Sequence, residues 1–387
     1  MVARPAAPAP SDGHGNTLHR WWSRLKAEWL LFAFAALTVA LAWLDPQPLA
    51  TWRRWLQMPT LAGLTGLLIA IQGIRDSGLV QHAASTLAAR THSLRSLGLL
   101  LVAATALLSM VLTNDVSLFL LVPLTVAIGG LSNLPVLRMV VLEALAVNAG
   151  STLSPIGNPQ NLLLWQHGQL PFLHFVAAML PTAAVMFALV AALTFAWLPR
   201  ERMLLAPDAL DDRRVAKPLA GLALVALAAM VVLMEYGHAL LGAAVLLGVF
   251  AVAARASLAR LDWLLLLTFA AIFLGLGHLA DLPWVRHALD RIDFNQPLHL
   301  YLGGIVASQL ISNVPATVLL LDRARDPIAL AVAVNVGGFG LAIGSLANLI
   351  ALRLARQPHG LRQLHRVSIP FLLVCAPLVY LLWRWLG

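Results

Sequence analysis

Long apolar runs decide what this chain is able to become. "WLLFAFAALTVALAWL" (29–44) and "FVAAMLPTAAVMFALVAALTFAWL" (175–198) carry no charged residue. A helix on the surface of a soluble protein keeps a polar face opposite its apolar one. A helix that is apolar all round needs apolar surroundings on every side. Helices of this length fit a bilayer core of about 30 Å. Further apolar segments fall near 58–74, 97–112, 116–130, 138–155, 160–168, 218–235, 238–254, 262–280, 298–311, 315–321, 327–342, 345–356 and 367–386. Composition points the same way. Of 387 residues, 60% are hydrophobic and 11% charged, with a mean hydropathy of +0.82. A soluble domain carries about 25% charged residues. The expected fold class is an all-α polytopic membrane protein, and a large soluble helical protein is the reading this composition argues against.

The net charge is +9. The basic residues cluster between apolar spans, where they meet lipid headgroups and set orientation, so no nucleic-acid partner is expected. Two pairs of apolar segments, 97–112/116–130 and 298–311/315–321, are each divided by a polar triplet: Thr113-Asn114-Asp115 and Ser312-Asn313-Val314. Two short helices with a polar tip read as a re-entrant hairpin, tolerated at membrane depth only where it lines a cavity in protein. With a cytoplasmic N-terminus and both hairpins returning to their side of entry, most of the 26 lysines and arginines lie on the inner side. That fits the positive-inside rule and gives nine full crossings plus two hairpins, expected in a bacterial inner membrane. Residues 1–27 read as a disordered cytoplasmic segment, with no cleavable signal peptide expected. The single cysteine, Cys375, excludes an intramolecular disulfide framework and a cysteine metal site.

One apolar stretch is interrupted. "VNAGSTLSPIGNPQNLLL" (147–164) begins and ends apolar but holds Pro155, Gly157, Asn158, Pro159, Gln160 and Asn161. It aligns without gaps to "VNVGGFGLAIGSLANLIA" (334–351), pairing Val147 with Val334, Asn148 with Asn335, Gly150 with Gly337, Ile156 with Ile343, Gly157 with Gly344, Asn161 with Asn348 and Leu162 with Leu349. Upstream, "LTN" (112–114) echoes "ISN" (311–313). Seven of the ten asparagines fall in these four stretches. Each half therefore reads as a hairpin tip followed by a broken helix, and the assumed topology gives the two copies opposite orientations. The expected organisation is a first inverted repeat over 28–198 (hairpin 97–130, broken helix 138–168). A cytoplasmic loop and linking helix follow over 199–237. The second repeat spans 238–387 (hairpin 298–321, broken helix 327–356).

Inverted repeats with broken helices at the midplane are the architecture of secondary transporters. Helix N-termini present partial positive charge to anions, and freed carbonyls suit cations. Asn, Ser and Thr side chains supply neutral ligands without the cost of a buried charge. The candidate substrate- and ion-binding residues are accordingly Thr113, Asn114, Asp115, Gly157, Asn158, Gln160, Asn161, Ser312, Asn313, Val314, Thr317, Gly344, Ser345 and Asn348. Glu143, Asn148 and Asn335 are candidates for coupling or support. Several have a plainer structural role open to them. Asp115 serves either as a sodium or proton site or as a cap for the helix after it. Glu143 is either a proton-titrating group or a partner for Arg138. Asn148 and Asn335 are either ligands or interhelical glue, and the Thr317 hydroxyl either faces the site or bonds its own helix. Zinc-protease, nucleophile-elbow and P-loop motifs are absent from the sequence. An intramembrane enzyme or a scaffold would need no matched breaks, so no enzyme, cofactor or fixed metal is expected beyond a sodium ion or proton as coupling ion.

At "LTNDVSLFLLVPLTV", "EALAVNAGSTLSPIGNPQNLLLW", "ISNVPATVLLL" and "NVGGFGLAIGSLANLIALRLA" the chain resembles the ion-transporter superfamily. That group includes divalent-anion/sodium symporters, citrate–metal symporters, arsenite permeases and a class of sodium/proton antiporters. The resemblance covers roughly residues 55–385 and is nearest to a bacterial branch of anion permeases. It implies alternating-access transport of a small inorganic or organic anion, with substrate carboxylates and sodium held by the two tips and the loops at 157–161 and 344–348. It also implies a homodimer. Arsenite or oxyanion efflux and sodium/proton antiport are the other activities it admits. Two departures stand out: the first tip ends in Asp115 where the symporters have threonine, and the second ends in Val314.

Overall fold

The computed structural model describes residues 29–79, 82, 91, 93–130, 132–202 and 215–386. The expected segment 1–27, and 203–214 of the expected linking region, lie outside the described residues. Within them the regular structure is helical, apart from one isolated bridge between Ser93 and Arg202. Helices α1 (Trp29–Leu44), α2 (Leu49–Trp55) and α3 (Met58–Asp76) come first. A hairpin of α4 (Leu94–Leu112) and α5 (Asn114–Gly130) follows, then a broken helix of α6 (Val136–Ser151) and α7 (Pro159–Gly168), then α8 (Phe172–Trp197). Helices α9 (Lys217–Glu235), α10 (Ala239–Ala253) and α11 (Arg255–Ala259) lead to α12 (Trp263–Asp281) and α13 (Pro283–Asp290). The succession then recurs: hairpin α14 (Pro297–Ile311) and α15 (Asn313–Leu320), broken helix α16 (Pro327–Val336) and α17 (Leu346–Ala355), and α18 (Gly360–Leu386). Both hairpins and both breaks begin and end within a few residues of the positions expected from sequence.

Among the described residues six helices are long and apolar enough to cross a membrane: α3, α4, α8, α9, α12 and α18. One of them, α4, is a hairpin leg. A nine-crossing count therefore also needs α1, α10 and the two broken helices. The 15 residues of α10 span only about 23 Å at 1.5 Å per residue, and local bilayer thinning accommodates such a mismatch at modest cost. Large apolar side chains such as Leu173, Val252, Leu310 and Leu373 are exposed, as a lipid-facing perimeter requires.

Helix pairing places the tips. The first hairpin packs on α6, and α4 also touches α8. The α17 segment of the second break lies against both α5 and α6 of the first half. The second hairpin packs on α16, and α15 lies against both α12 and α7. Two glycines make the close approaches. A Cβ on Gly150 would sit 2.2 Å from the Ala106 carbonyl oxygen and 2.5 Å from the Ser109 hydroxyl. At the aligned Gly337 it would sit 2.6 Å from Ser308 Cβ and 2.7 Å from its hydroxyl. In both halves a glycine before the break thus receives a serine of the hairpin's first leg.

At one end of α12 the buried His278 ring stacks on Trp55, with centroids 4.5 Å apart, and its Nε2 lies 3.1 Å from the Asp45 carboxylate. Hydrogen bonds from His278 and then Gln47 hold the Asp45 carboxyl below the usual carboxylate range. Asp281 accepts from Trp55 Nε1 at 2.9 Å and also pairs with Arg54. These contacts tie α1, α2 and α12 together at that end.

Gly150→Ala is expected to lower thermal stability in detergent by about 1–3 kcal/mol through overpacking. Gly337→Ala should also destabilise, because the Ser308 Cβ it would meet at 2.6 Å moves only with its backbone; a neutral or stabilising effect of both substitutions would contradict the packing described.

Candidate functional site

The two tips share one unusual backbone geometry. Thr113 has φ 74 and ψ 153, and Ser312 has φ 78 and ψ 154. That region is essentially reserved for glycine and costs on the order of 1–3 kcal/mol for other residues. A β-branched threonine there is an outlier. Each conformation reverses the chain in one residue and starts a helix at once. The next residue's amide side chain then takes over a helix N-terminal donor. Asn114 Oδ1 accepts from the Asp115 N–H at 2.9 Å, and Asn313 Oδ1 accepts from the Val314 N–H at 2.9 Å.

The breaks are held by side chains. In the first, Asn158 caps α7, its Oδ1 accepting from the Asn161 N–H at 2.9 Å. The Asn161 amide faces the freed carbonyls of Ser151, Thr152 and Ser154 at 3.1–3.2 Å. The Gly157 carbonyl accepts from the Asn114 N–H at 2.8 Å, joining the first break to the first tip. In the second, Gln309 of α14 donates to the Gly337 and Phe339 carbonyls at 2.6 and 2.9 Å and accepts from the Leu341 N–H at 2.8 Å. From α18, Ser368 Oγ accepts from Gly340 N–H and His365 Nε2 from Ala342 N–H. Gly344 lies where a Cβ would stand 2.8 Å from the Gly337 carbonyl oxygen, so only glycine fits without displacement.

The breaks also bind each other. Asn335 accepts from Asn158 at 2.9 Å and donates to Asn161 at 2.6 Å. Asn148 donates to Asn348 at 2.9 Å. Asn148 aligns with Asn335, and Asn161 with Asn348. The residue before each break therefore meets the residue after the other.

Both tips and both breaks meet at a narrow cavity of about 30 Å³, room for roughly one or two waters or a bare ion. It is lined by Asn114 and Asp115 of the first tip, by Ser312, Asn313 and Val314 of the second, and by Pro159 and Leu346, the first residues of α7 and α17. Four helix N-termini, those of α5, α7, α15 and α17, thus converge on one space, each contributing roughly half a positive charge. The remaining wall is α12, with Thr268, Phe269 and Ile272. Three buried oxygens of the tips and breaks lack a hydrogen-bond partner, Asp115 Oδ1, Gln160 Oε1 and Ser345 Oγ, and of these residues Asp115 lines the cavity. Among the described residues no group of three His, Cys, Asp or Glu side chains forms a metal site.

Of the candidates, Asn114, Asp115, Ser312, Asn313 and Val314 face the cavity directly. Thr113, Gly157, Asn158, Asn161, Gly344, Asn348, Asn148 and Asn335 shape the tips and breaks around it. The Thr317 hydroxyl bonds its own helix, donating to the Asn313 carbonyl at 2.8 Å. Glu143 is buried away from the cavity and accepts from Thr125 at 2.5 Å. Arg138 lies over the Trp197 ring at 5.6 Å, and no Arg138–Glu143 ion pair forms. Sequence reading missed the α12 wall and the Gln309, His365 and Ser368 pins. Thr268 did leave a signal, as the one hydroxyl in "WLLLLTFAAIFLGLG".

Matched hairpin tips and matched broken helices around one small cavity, in an all-α polytopic chain, are the architecture of a membrane transporter. The chain belongs to the citrate transporter family, whose model matches residues 25–327. It is 38% identical to the inner membrane protein YbiR of Escherichia coli, over 89% of this chain and 92% of that one. It is 30% identical to the uncharacterized transporter MJ0456 of Methanocaldococcus jannaschii, over 76% and 80% of the two chains. The crystal structure of the Alcanivorax borkumensis YdaH transporter shares the fold, with a TM-score of 0.52 at 18% identity over 93% of this chain and 97% of that one. Family and relatives make this chain a transporter rather than an enzyme.

Asn335→Ala removes the donor to Asn161 Oδ1 and one of the acceptors of the Asn158 amide, which keeps its bonds to Ser151. It is expected to cost roughly 1–3 kcal/mol for each buried group left unpaired. A double-mutant cycle with Asn161→Ala should show strong coupling in thermal unfolding, and additive losses would contradict the bond. Thr113→Gly and Ser312→Gly should leave stability unchanged or raise it, since glycine adopts the tip geometry without strain; a clear loss from both would contradict the strained tips.

Proposed function

We propose that the chain is a secondary active transporter that carries a small inorganic or organic anion together with sodium or protons by alternating access. The observation behind this is the convergence of four helix N-termini and one unpartnered carboxylate oxygen on the same cavity. The N-termini favour an anion. Asp115 opposes that field and is costly at membrane depth unless it meets a cation or a proton. Asp115 Oδ1, without a hydrogen-bond partner at the cavity, offers an oxygen ligand to such a cation. The cavity is far smaller than an organic anion, so the substrate would enter once the tips and breaks separate on one side. The exchanged asparagine contacts support reading 28–198 and 238–387 as inverted repeats that rock about these breaks. Residence in an inner membrane with a cytoplasmic N-terminus, and assembly as a homodimer, belong to the same proposal; the name of the Escherichia coli relative supports the first.

Sodium/proton antiport is a second reading. It is favoured by Val314, which gives the second tip methyl groups where the first has a carboxylate. Thermal stabilisation of the purified protein separates the two, because a ligand of the folded state raises stability by mass action. The panel would hold sodium, lithium, pH steps, citrate, dicarboxylates, sulfate, phosphate and arsenite. An anion shift that requires sodium or low pH is expected for wild type, and Asp115→Asn should remove that dependence. Shifts with sodium or pH alone would favour antiport, and an Asp115→Asn protein with unchanged cation dependence would reject the role given to Asp115.

A further inference from the structure

An open groove of about 640 Å³ runs between the C-terminal part of α8 and the N-terminal half of α18. Its walls include Leu189, Leu193, Val367, Phe371 and Val374, and Trp197 and Arg366 also line it. Arg366 also lines an adjoining depression with Arg362 and His365. The Arg138 guanidinium lies over the Trp197 ring. No acidic side chain lines either feature, and Arg138, Arg362 and Arg366 have no carboxylate partner among the described residues. Arg362 and Arg366, near the start of α18, are exposed.

Charge and length together point to one occupant. Along α18 the groove extends from Gln363 to Val374, about 17 Å at 1.5 Å per residue. That is close to one leaflet of a hydrocarbon core about 30 Å thick. The cationic end lies at the start of α18, where a helix leaves the membrane, and the apolar walls lie deeper. A tryptophan at the junction matches the interfacial preference of that side chain. We propose that this groove binds one anionic phospholipid, with an acyl chain along Leu193, Phe371 and Val374 and the phosphate at Arg362 and Arg366. His365 Nε2 accepts the Ala342 N–H, so the headgroup would sit against the residue that pins the second break.

Native mass spectrometry of the full chain tests this, with phosphatidylglycerol and phosphatidylcholine of identical acyl chains. Wild type is expected to retain phosphatidylglycerol in clear preference. Arg362→Ala and Arg366→Ala should each weaken that preference by about fivefold and leave phosphatidylcholine retention unchanged. Val374→Trp, which fills the groove, should reduce both lipids; Leu193→Trp is the alternative if that variant does not fold. Equal retention of the two lipids by wild type, or full phosphatidylglycerol retention by the double arginine variant, would overturn the proposal. So would stabilisation by inorganic phosphate equal to that by phosphatidylglycerol, which would mean an anion site without a lipid. A shift from dimer to monomer with Val374→Trp and unchanged lipid retention would assign the groove to a second copy of this chain.

Discussion

A bilayer core offers no water to a freed peptide group, and every feature of the site answers to that constraint. Breaking two helices at membrane depth releases carbonyls and amides that must find partners within the protein. The first break solves this locally. Asn161 alone faces three carbonyls, and Asn158 caps the helix that resumes. The second break borrows instead, from Gln309 on the hairpin and from His365 and Ser368 on α18. The breaks then share asparagines with one another, so neither keeps its shape without the other.

This mutual dependence produces the electrostatics. A helix that restarts inside the protein points its N-terminus inward, and here four do so around one small space. The tips reach that space through a backbone conformation that threonine and serine normally avoid. The matched strain is retained because each tip must turn within one residue and begin a helix immediately. At the third tip position the halves differ, one bringing the Asp115 carboxylate and the other the methyls of Val314. The two halves thereby present unlike tips to the cavity.

Much of this was legible in the sequence. Asparagine, glycine and proline are rare inside apolar spans, and their repetition at a fixed offset exposed the tips and breaks. Element limits followed from Pro159, Pro297 and Pro327, each at the first position of a helix. Other features could not be read. The 148–348 and 161–335 pairing is a product of how the two halves pack, which an alignment of the two copies does not reveal. Nothing about Gln309 or His365 marks them locally, because their partners lie more than twenty residues away. Sequence favoured a surface arginine for Glu143, whereas the fold gives it Thr125 because α5 and α6 lie side by side. The positive φ at Thr113 opposes its own propensity and is imposed by tertiary contacts.

Side-specific accessibility of the second tip tests the shared site most directly. Val314→Cys in a Cys375→Ser background leaves a single thiol at the cavity, to be probed with a membrane-impermeant reagent in right-side-out and inside-out vesicles. Labelling from both sides is expected, and the sodium or proton condition and anion that stabilise the purified protein should suppress both reactions. Labelling from one side under every condition, indifferent to those ions, would contradict a site that opens alternately between the two tips and the two breaks.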